Sequence, residues 1–516
     1  MASETAVETF DAEAVNSKQN RQLYAARQKI HPKRATGYFR SLKWIIMAVT
    51  LGIYYITPWL RWDRGPFAPD QAVLVDMANR RFYFFFIDIW PHEFFFVAGM
   101  LVMAGIALFL VTSTVGRAWC GYTCPQTVWV DLFLVVERFF EGDRNARIRL
   151  DKAPWTSSKI AKRTAKHAVW LMIGIATGGA WIFYFADAPT LAWDFVTSQA
   201  HPIAYVTVAI LTATTYVFGG LMREQVCTYM CPWPRVQAAM LDEHSLTVTY
   251  NDWRGEPRTR HAKKAAAAGE TVGDCVDCNA CVAVCPMGID IRDGQQLECI
   301  TCALCIDACD GVMEKIGRDK GLISYATLDT YNRNMALATG GDPTASVDPT
   351  RVRTPDGGLS ADTGPFNWRH VIRPRTLIYT TIYCAIGLAL LTALFLRDRL
   401  DVNVLRDRNP VYVRLSDGSI RNGYQLKILN MRVEPRSFLV TLEGLPGGSL
   451  RLTGIDQPQG AEWRVPVEAN QLRNVRAFIT VPADAIGATI TDFSIVVREA
   501  DGEESARADT RFEAPQ

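Results

Sequence analysis

The sequence has almost no charge imbalance. Lysine and arginine number 55 and aspartate and glutamate 53, which leaves a formal net charge of +2 over 516 residues. A basic excess is the usual electrostatic signature of nucleic-acid binding, so its absence predicts no nucleic-acid partner. Residues 1–30 carry four acidic side chains and no apolar run, so we expect no cleaved secretory signal.

Charged residues are also few, at 21% of the chain against 49% hydrophobic residues. The apolar residues are clustered, and a helix of about 20 of them crosses a hydrocarbon core of about 30 Å. The sequence therefore predicts an α-helical membrane bundle of five spans. The five windows are 44–60, 94–115, 168–186, 202–222 and 376–396.

Lysine and arginine in the loops predict how these spans are oriented. Segment 116–167 contains ten of them, whereas segment 187–201 contains none. Because positively charged loops stay in the cytoplasm, we expect the N-terminus and segment 223–375 on the cytoplasmic side. Everything after about residue 397 then lies in the periplasm, on the other side of the lipid bilayer.

The spans and the changes in composition divide the chain into six predicted parts. These are an N-terminal tail (1–40), a four-span membrane domain (41–240), a two-cluster ferredoxin domain (241–335), a flexible linker (336–375), a fifth span (376–397) and a β domain (398–516).

Residues 400–516 contain no cysteine and about seven short β-type runs separated by turn signals. The runs are 411–415, 424–431, 436–443, 449–454, 462–467, 474–481 and 490–498. This number of short strands in so few residues predicts an immunoglobulin-like sandwich. With no nucleophile, metal cluster or glycine-rich loop in the segment, docking or scaffolding is its expected role.

Eight of the 13 cysteines form the pattern C-x2-C-x2-C-x3-C twice, at Cys275, Cys278, Cys281 and Cys285 and again at Cys299, Cys302, Cys305 and Cys309. This is the spacing of two-cluster bacterial ferredoxins, in which the fourth cysteine of each run ligates the other cluster. We therefore predict one [4Fe-4S] cluster on Cys275, Cys278, Cys281 and Cys309, and the other on Cys299, Cys302, Cys305 and Cys285. A disulfide framework does not suit the reducing cytoplasm, and structural zinc does not need two overlapping sets of four.

Four further cysteines form a duplicated motif, C-x-Y-x-C-P, at Cys120–Cys124 and Cys227–Cys231, offset by 107 residues. Each copy follows a span that is predicted to end at the cytoplasmic face, so we expect the four thiols to converge there. In a helical turn, residues four apart share a face, and two thiolates so placed suit a soft metal ion such as Cu(I) or a reversible dithiol. The alternative is that these cysteines are small buried residues at helix ends. The matched duplication favours the metal or redox role.

This order of elements resembles the cytochrome c oxidase accessory protein family (CcoG/FixG/RdxA) of membrane polyferredoxins. The resemblance rests on the motif C-G-Y-T-C-P-Q-T-V-W at 120–129, its second copy, the tandem ferredoxin motif and the stretch from Cys305 to Met313. It covers nearly the whole chain except the first 35 residues and segment 339–366.

The resemblance implies a role in the assembly of cbb3-type cytochrome c oxidase in the bacterial inner membrane. It also implies an oxidoreductase activity, the reduction of Cu(II) to Cu(I), with two [4Fe-4S] clusters as cofactors and copper as substrate. The family's copper-site cysteines correspond to Cys120, Cys124, Cys227 and Cys231. The implied partners are oxidase assembly or copper delivery proteins and an electron donor that the sequence does not identify.

Two other functions fit the same motifs. In the first, the protein is an electron-transfer subunit between the quinone pool and a periplasmic reductase, and the thiol pairs are structural or lie near a quinone. In the second, it is a non-catalytic scaffold whose β domain holds oxidase subunits.

Overall fold

The structure is a computed structural model that describes residues 7–16, 28–342, 344–354, 358–361, 368–455 and 462–515. It separates into two compact units. One comprises Met1–Leu60 and Val73–Leu388, and the other Arg61–Ala72 and Ala389–Gln516.

Helices dominate the first unit. The α-helices are Tyr38–Ile56, Phe95–Val115, Ala118–Tyr122, Pro125–Glu141, Arg144–Lys152, Ser157–Ile182, Ala188–Val196, Pro202–Thr215, Trp233–Met240, Asp252–Gly255, Ala262–Ala267, Ala280–Val284, Leu304–Lys315, Leu328–Thr339, Trp368–Val371 and Pro374–Phe395. Short 3₁₀ turns occupy Thr57–Trp59, Pro91–Glu93 and Ile291–Asp293, and π-helical turns occupy Tyr216–Met222 and Val226–Met230.

Four helical segments in the described part of the chain are long and apolar enough to cross a membrane. They are Tyr38–Trp59, Pro91–Val115, Pro202–Met222 and Pro374–Phe395, and they correspond to four of the five predicted windows. The remaining window, 168–186, is not among them, so the prediction of five spans is not confirmed.

The helix Ser157–Ile182 contains most of that unconfirmed window, and its first part carries Lys159, Lys162, Arg163 and Lys166. These charges lower the mean hydropathy of the helix. It packs closely on the helix Pro202–Thr215. A Cβ atom on Gly178 would lie only 2.9 Å from the carbonyl oxygen of Val208, so glycine permits this contact.

The helix Pro125–Glu141 buries charged side chains instead of exposing them. The Glu137 carboxylate lies 2.7 Å from Arg147 Nη1 and 2.8 Å from Arg223 Nη2. Lys166 Nζ lies 2.9 Å from Glu141 and 3.8 Å from Glu137. These ions come from four different elements, so no local sequence pattern predicts that they meet.

Five strands belong to the first unit. Strands β1 (Val73–Asp76), β2 (Arg81–Phe84) and β3 (Ile87–Ile89) form an antiparallel meander that the sequence analysis did not predict. Strands β4 (Thr247–Tyr250) and β5 (Ile323–Ala326) pair antiparallel, with Thr247 opposite Ala326 and Tyr250 opposite Ile323. This pair joins the two ends of the segment that contains the eight ferredoxin cysteines.

The described part of the predicted linker contains buried apolar residues. Val352 is fully buried and Ala361 is nearly so, and both lie in an apolar cluster with Trp253 and Ala338. These contacts within a glycine- and proline-rich segment are not visible in its composition, and the flexibility of the linker stays a prediction. Residues 343, 355–357 and 362–367 of the linker, and residues 1–6 and 17–27 of the N-terminal tail, lie outside the described residues.

The second unit is the two-sheet sandwich that the strand pattern predicts. Its strands are β6 (Leu400–Arg406), β7 (Val413–Arg414), β8 (Ile420–Asn430), β9 (Arg436–Glu443), β10 (Ser449–Leu452), β11 (Trp463–Val467), β12 (Leu472–Val481), β13 (Ile490–Glu499) and β14 (Ser505–Glu513). One sheet has the order β10-β12-β8-β6, with β7 beside β8, and the other has the order β11-β9-β13-β14. A continuous apolar core that includes Phe438 and Ile495 fills the space between the sheets. The predicted runs match strands β7 to β13, while β6 and β14 were missed.

Candidate iron–sulfur and thiol centre

The two ferredoxin loops have the same unusual backbone. In the first loop, Asp277 and Asn279 flank Cys278 and have φ of 48° and 58°. In the second loop, Thr301 and Ala303 flank Cys302 and have φ of 54° and 59°. Left-handed residues that alternate with ordinary ones turn successive N–H groups toward one concave side, which is a known arrangement around anions and iron–sulfur clusters. Each loop leads directly into a helix, Ala280–Val284 or Leu304–Lys315.

Cys309 lies with the first loop, although it belongs to the second motif. Burial, and then the nearby thiols of Cys281, Cys275 and Cys278, raise the pKa of Cys309 well above its usual range. Cys275, Cys281 and Cys309 also share one apolar cluster.

Conversely, Cys285 belongs to the first motif but lies with the second loop. Burial, and then the thiols of Cys302 and Cys299, raise the pKa of Cys285 to about 12. The structure thus groups the eight thiols as the crossed ligation requires, and the ligation itself stays a prediction.

Both quartets fit [4Fe-4S] clusters by their donor chemistry. All eight thiols are free, and backbone N–H groups already donate to several sulfurs: those of Ile289 and Met287 to Cys285, and that of Thr301 to Cys299. Such bonds tune the potential of a cluster. Among the described residues, no three His, Cys, Asp or Glu side chains are close enough to hold a single metal ion. Each thiolate of a cubane binds a different iron, so a wider spacing is what a cluster needs.

A sharp backbone turn precedes each of the two C-x-Y-x-C-P motifs, and the sequence did not predict it. Gly116, which ends the helix Phe95–Val115, has φ 61° and ψ −132°. Arg223, 107 residues later, ends the π-helical turn Tyr216–Met222 with φ 46° and ψ −111°. Each span therefore ends in the same sharp turn, four residues before the first cysteine of the motif, which supports a duplicated structural unit.

The two cysteines of a motif do not share one helical turn, which corrects the predicted local geometry. Cys120 lies in the helix Ala118–Tyr122, but Cys124 has ψ 128° and precedes Pro125, the first residue of the next helix. In the second copy Cys231 has ψ 121° and precedes Pro232. A proline excludes the helical conformation from the residue before it, so the last cysteine of each motif lies at a break.

The structure nevertheless brings the four thiols together. Burial, and then the thiols of Cys124, Cys120 and Cys231, raise the pKa of Cys227 to about 12. Cys120 and Cys227 also lie in one apolar cluster with Cys285, Cys299 and Cys302. The four-thiol set is therefore adjacent to the second ferredoxin quartet.

Each motif is held by a glutamine from the helix that follows the other motif. Gln237 accepts a hydrogen bond from Cys120 Sγ at 3.0 Å and donates to Thr112 Oγ1 at 3.2 Å. Gln126 donates to the carbonyl oxygens of Phe218, at 2.8 Å, and Arg223, at 3.2 Å. This reciprocal bracing joins the two copies into one unit.

Several residues at this centre were not predicted. Tyr122 Oη donates to the carbonyl oxygen of Cys302 at 3.3 Å, and Tyr325 Oη donates to that of Thr301 at 2.8 Å. The tyrosine in C-x-Y-x-C-P was the available signal for Tyr122. Nothing in the sequence indicates the partner loop, because it lies 180 residues away.

The ferredoxin segment also contacts the start of the first span. Asp307 lies between Cys305 and Cys309, and its carboxylate accepts hydrogen bonds from the backbone N–H groups of Phe39, at 3.1 Å, and Arg40, at 2.7 Å. A Cβ atom on Gly37 would lie 2.4 Å from Asp307 Cγ, so only glycine allows this approach.

Three family models match the chain. A 4Fe-4S dicluster domain matches residues 222–328, and a 4Fe-4S binding domain matches residues 96–141. The third, described as the IG-like fold at the C-terminal of FixG, matches residues 390–515, and its description also names an oxidoreductase. The chain is therefore an iron–sulfur protein of the oxidoreductase kind.

Similar proteins span nearly the whole chain. "Nitrogen fixation protein FixG" of Rhizobium meliloti (strain 1021) is 64% identical over 507 residues, which are 98% of this chain and 97% of that protein. "Protein RdxB" of Cereibacter sphaeroides is 54% identical over 496 residues, 96% of this chain and 98% of that protein. "Protein RdxA" of the same organism is 51% identical over 484 residues, 93% of this chain and 96% of that protein.

Proposed function

This chain belongs to the FixG/RdxA family, and we propose that it is a membrane-bound iron–sulfur cupric reductase. It reduces Cu(II) to Cu(I) for the assembly of a cbb3-type cytochrome c oxidase. The observation that carries this proposal is the position of Cys120 and Cys227 in one apolar cluster with three ferredoxin thiols.

In this proposal, two sets of cysteines have different roles. Two [4Fe-4S] clusters, held by the eight ferredoxin cysteines, supply one-electron redox chemistry when bound. Cys120, Cys124, Cys227 and Cys231 offer thiolates to the copper ion as substrate, and because no three of the described side chains are close enough to hold one metal ion, two thiolates bind it at a time. Because soft thiolates prefer Cu(I), their binding favours the reduced ion and therefore its formation. A cytoplasmic reductant or a quinol provides one electron for each copper ion.

The proposed location is the bacterial inner membrane. The thiols and the ferredoxin segment lie on the cytoplasmic side, and the sandwich lies in the periplasm. This orientation rests on the lysine and arginine distribution of the loops. Oxidase assembly or copper delivery proteins then receive the Cu(I).

A second function is favoured by the match of a 4Fe-4S binding domain to residues 96–141. That range contains only two cysteines, Cys120 and Cys124, so a cluster there would need Cys227 and Cys231 from the other copy. The chain would then be a three-cluster electron-transfer subunit between the quinone pool and a periplasmic reductase.

Metal analysis of the full-length protein separates the two functions. We would purify the protein anaerobically, measure iron, sulfide and bound copper, and follow Cu(II) reduction with a Cu(I)-specific chelator. The variant carries Cys120→Ser, Cys124→Ser, Cys227→Ser and Cys231→Ser. The control is Cys384→Ser, which changes the exposed cysteine of the last span.

A cupric reductase keeps all its iron in the four-serine variant and loses copper binding and Cu(II) reduction, while the control retains both. Undiminished Cu(II) reduction in the variant would contradict the proposal. Loss of one third of the iron would establish the three-cluster alternative.

A further inference from the structure

Three pairs of equivalent positions around the cysteines distinguish the two copies of C-x-Y-x-C-P, two of them by residue type and the third by its surroundings. At equal offsets, Arg117 corresponds to Glu224, Gly121 to Thr228, and Tyr122 to Tyr229. In the first copy all three residues face the second ferredoxin loop.

Gly121 permits a direct contact between the first motif and that loop. A Cβ atom at Gly121 would lie 2.7 Å from the carbonyl oxygen of Ile300 and 3.0 Å from the Cα atom of Cys302. Any side chain would therefore push the helix Ala118–Tyr122 away from the backbone that presents Cys302. Thr228 carries a full β-branched side chain at the equivalent position.

The two tyrosines of the motif have different environments. Tyr122 is buried, and its hydroxyl reaches both the carbonyl oxygen of Cys302, at 3.3 Å, and Tyr325 Oη, at 3.5 Å. Tyr229 is 54% exposed. The tyrosine of the first copy thus forms a hydrogen bond to the backbone of the predicted cluster-binding loop, whereas that of the second copy is largely exposed.

Arg117 places a buried positive charge between the same two groups. It is only 5% exposed, and its Nη1 donates to the carbonyl oxygen of Leu297 at 2.5 Å. Its Nε and Nη2 atoms are buried and have no hydrogen-bond partner among the described residues. It lies within electrostatic reach of Cys299, Cys120 and Cys227. No carboxylate of the described residues forms a salt bridge with Arg117, and a buried cation without an anionic partner is costly, so thiolates that carry a metal suit it as partners.

We propose that the two copies are not equivalent, and that the first is the electron-transfer contact with the cluster on Cys285, Cys299, Cys302 and Cys305. Gly121, Tyr122 and Arg117 are its positioning residues. The reduced cluster loses one electron, and that electron reduces one Cu(II) at the thiols to Cu(I). No bond is formed or broken, and no proton is transferred. This inference rests on the proposed function for the identity of the acceptor.

The test compares Gly121→Ala with its matched control, Thr228→Ala, in the full-length protein. Both proteins are reduced with dithionite, their clusters are recorded by electron paramagnetic resonance (EPR), and reoxidation by Cu(II) is followed in a stopped-flow instrument. Because electron transfer slows with each ångström added between donor and acceptor, we expect Gly121→Ala to slow reoxidation several-fold relative to the wild type. It should also alter the EPR spectrum of one cluster, whereas Thr228→Ala should match the wild type. Equal behaviour of the two variants would overturn the inference.

A second comparison needs no copper and no change at Gly121. Arg117→Gln removes the buried charge and Arg117→Lys retains it. Because reduction adds negative charge to a cluster, the reduction potential of the second cluster should fall in Arg117→Gln and stay closer to the wild-type value in Arg117→Lys. An unchanged potential in both contradicts the inference even if Gly121→Ala fails to fold. If the wild type does not reduce Cu(II), the proposed function fails, and these potentials still decide the role of the first copy.

Discussion

The ferredoxin segment and the C-terminal sandwich reach a folded state by different means. The sandwich core is made of aliphatic and aromatic side chains from both sheets, such as Phe438, Val465 and Ile495, all with no exposed surface. The core of the ferredoxin segment includes its own thiols, with Cys275, Cys281 and Cys309 packed among a few aliphatic residues. Since those thiols are the predicted cluster ligands, we expect metal binding and folding to be coupled in that segment, whereas the sandwich depends on packing.

The largest expected effect is on the ferredoxin segment, through two double variants. Under crossed ligation, Cys275→Ala with Cys309→Ala removes two ligands from one cluster, so the EPR spectrum of the other cluster remains intact. Cys299→Ala with Cys309→Ala removes one ligand from each cluster, so neither spectrum is intact. Uncrossed ligation predicts the reverse result for the two variants. The unfolding of the sandwich, followed by calorimetry, should not change in either.

The sandwich should respond to the loss of packing instead. Phe438→Ala removes a fully buried ring and should lower the free energy of unfolding of the sandwich by about 3–5 kcal/mol. Leu472→Ala, at a half-exposed site in strand β12, should change it by less than about 0.5 kcal/mol. Calorimetry of the full-length protein measures both. Iron content should equal that of the wild type, and a loss of iron in Phe438→Ala would mean that the two regions are not energetically separate.

A smaller effect should appear with pH in the helical part of the first unit. Burial raises the pKa of Glu137, but Arg223, Arg147 and Lys166 outweigh it and lower the pKa from its ordinary value of 4.5 to about 2. The folded state therefore prefers the ionised carboxylate. Its stabilisation is complete above pH 4.5 and declines as the pH falls toward 2.

Thermal unfolding of the wild type should thus lose stability between pH 5 and pH 3, as followed by helical circular dichroism. Glu137→Gln should be less stable at pH 7 and should show a shallower dependence over the same interval. Equal slopes for the two proteins would show that Glu137 is not the group responsible.

The smallest effect concerns the charge beside each cluster. Arg292 lies within electrostatic reach of Cys281 and Cys275 in the first quartet and pairs with Asp290 and Asp277. Arg292→Gln should lower the reduction potential of the first cluster and leave that of the second unchanged. Arg117→Gln, in contrast, should lower the reduction potential of the second cluster. A redox titration monitored by EPR provides the measurement. A shift of both clusters together would indicate a general disturbance of the segment.

Short-range patterns predicted the parts of this molecule that depend on spacing. The eight ferredoxin cysteines, the duplicated motif and most strands of the sandwich follow from residues close together in the chain. Strand β14 was missed because only Ala508 and Phe512 are buried along it, and charged residues occupy much of the rest. Strand β6 was missed although it has the alternation of a half-buried strand, with Leu400 and Val402 buried and a polar residue between them.

The features that were missed depend on distant contacts. Gly121 is important only because the carbonyl oxygen of Ile300 lies beside it, and Glu137 is buried only because cations from three other elements surround it. Neither neighbour is visible in the local sequence. The four-thiol set was predicted from its duplication, but its local geometry was not, since Pro125 and Pro232 disfavour the helical conformation at the cysteines that precede them.

Asp307 connects the predicted cluster site to the start of the first long apolar helix. Its carboxylate holds the opening amides of that helix, and the cysteines two residues away on either side determine where the carboxylate lies. Ordering of the predicted cluster site is therefore expected to order the first turn of this helix as well.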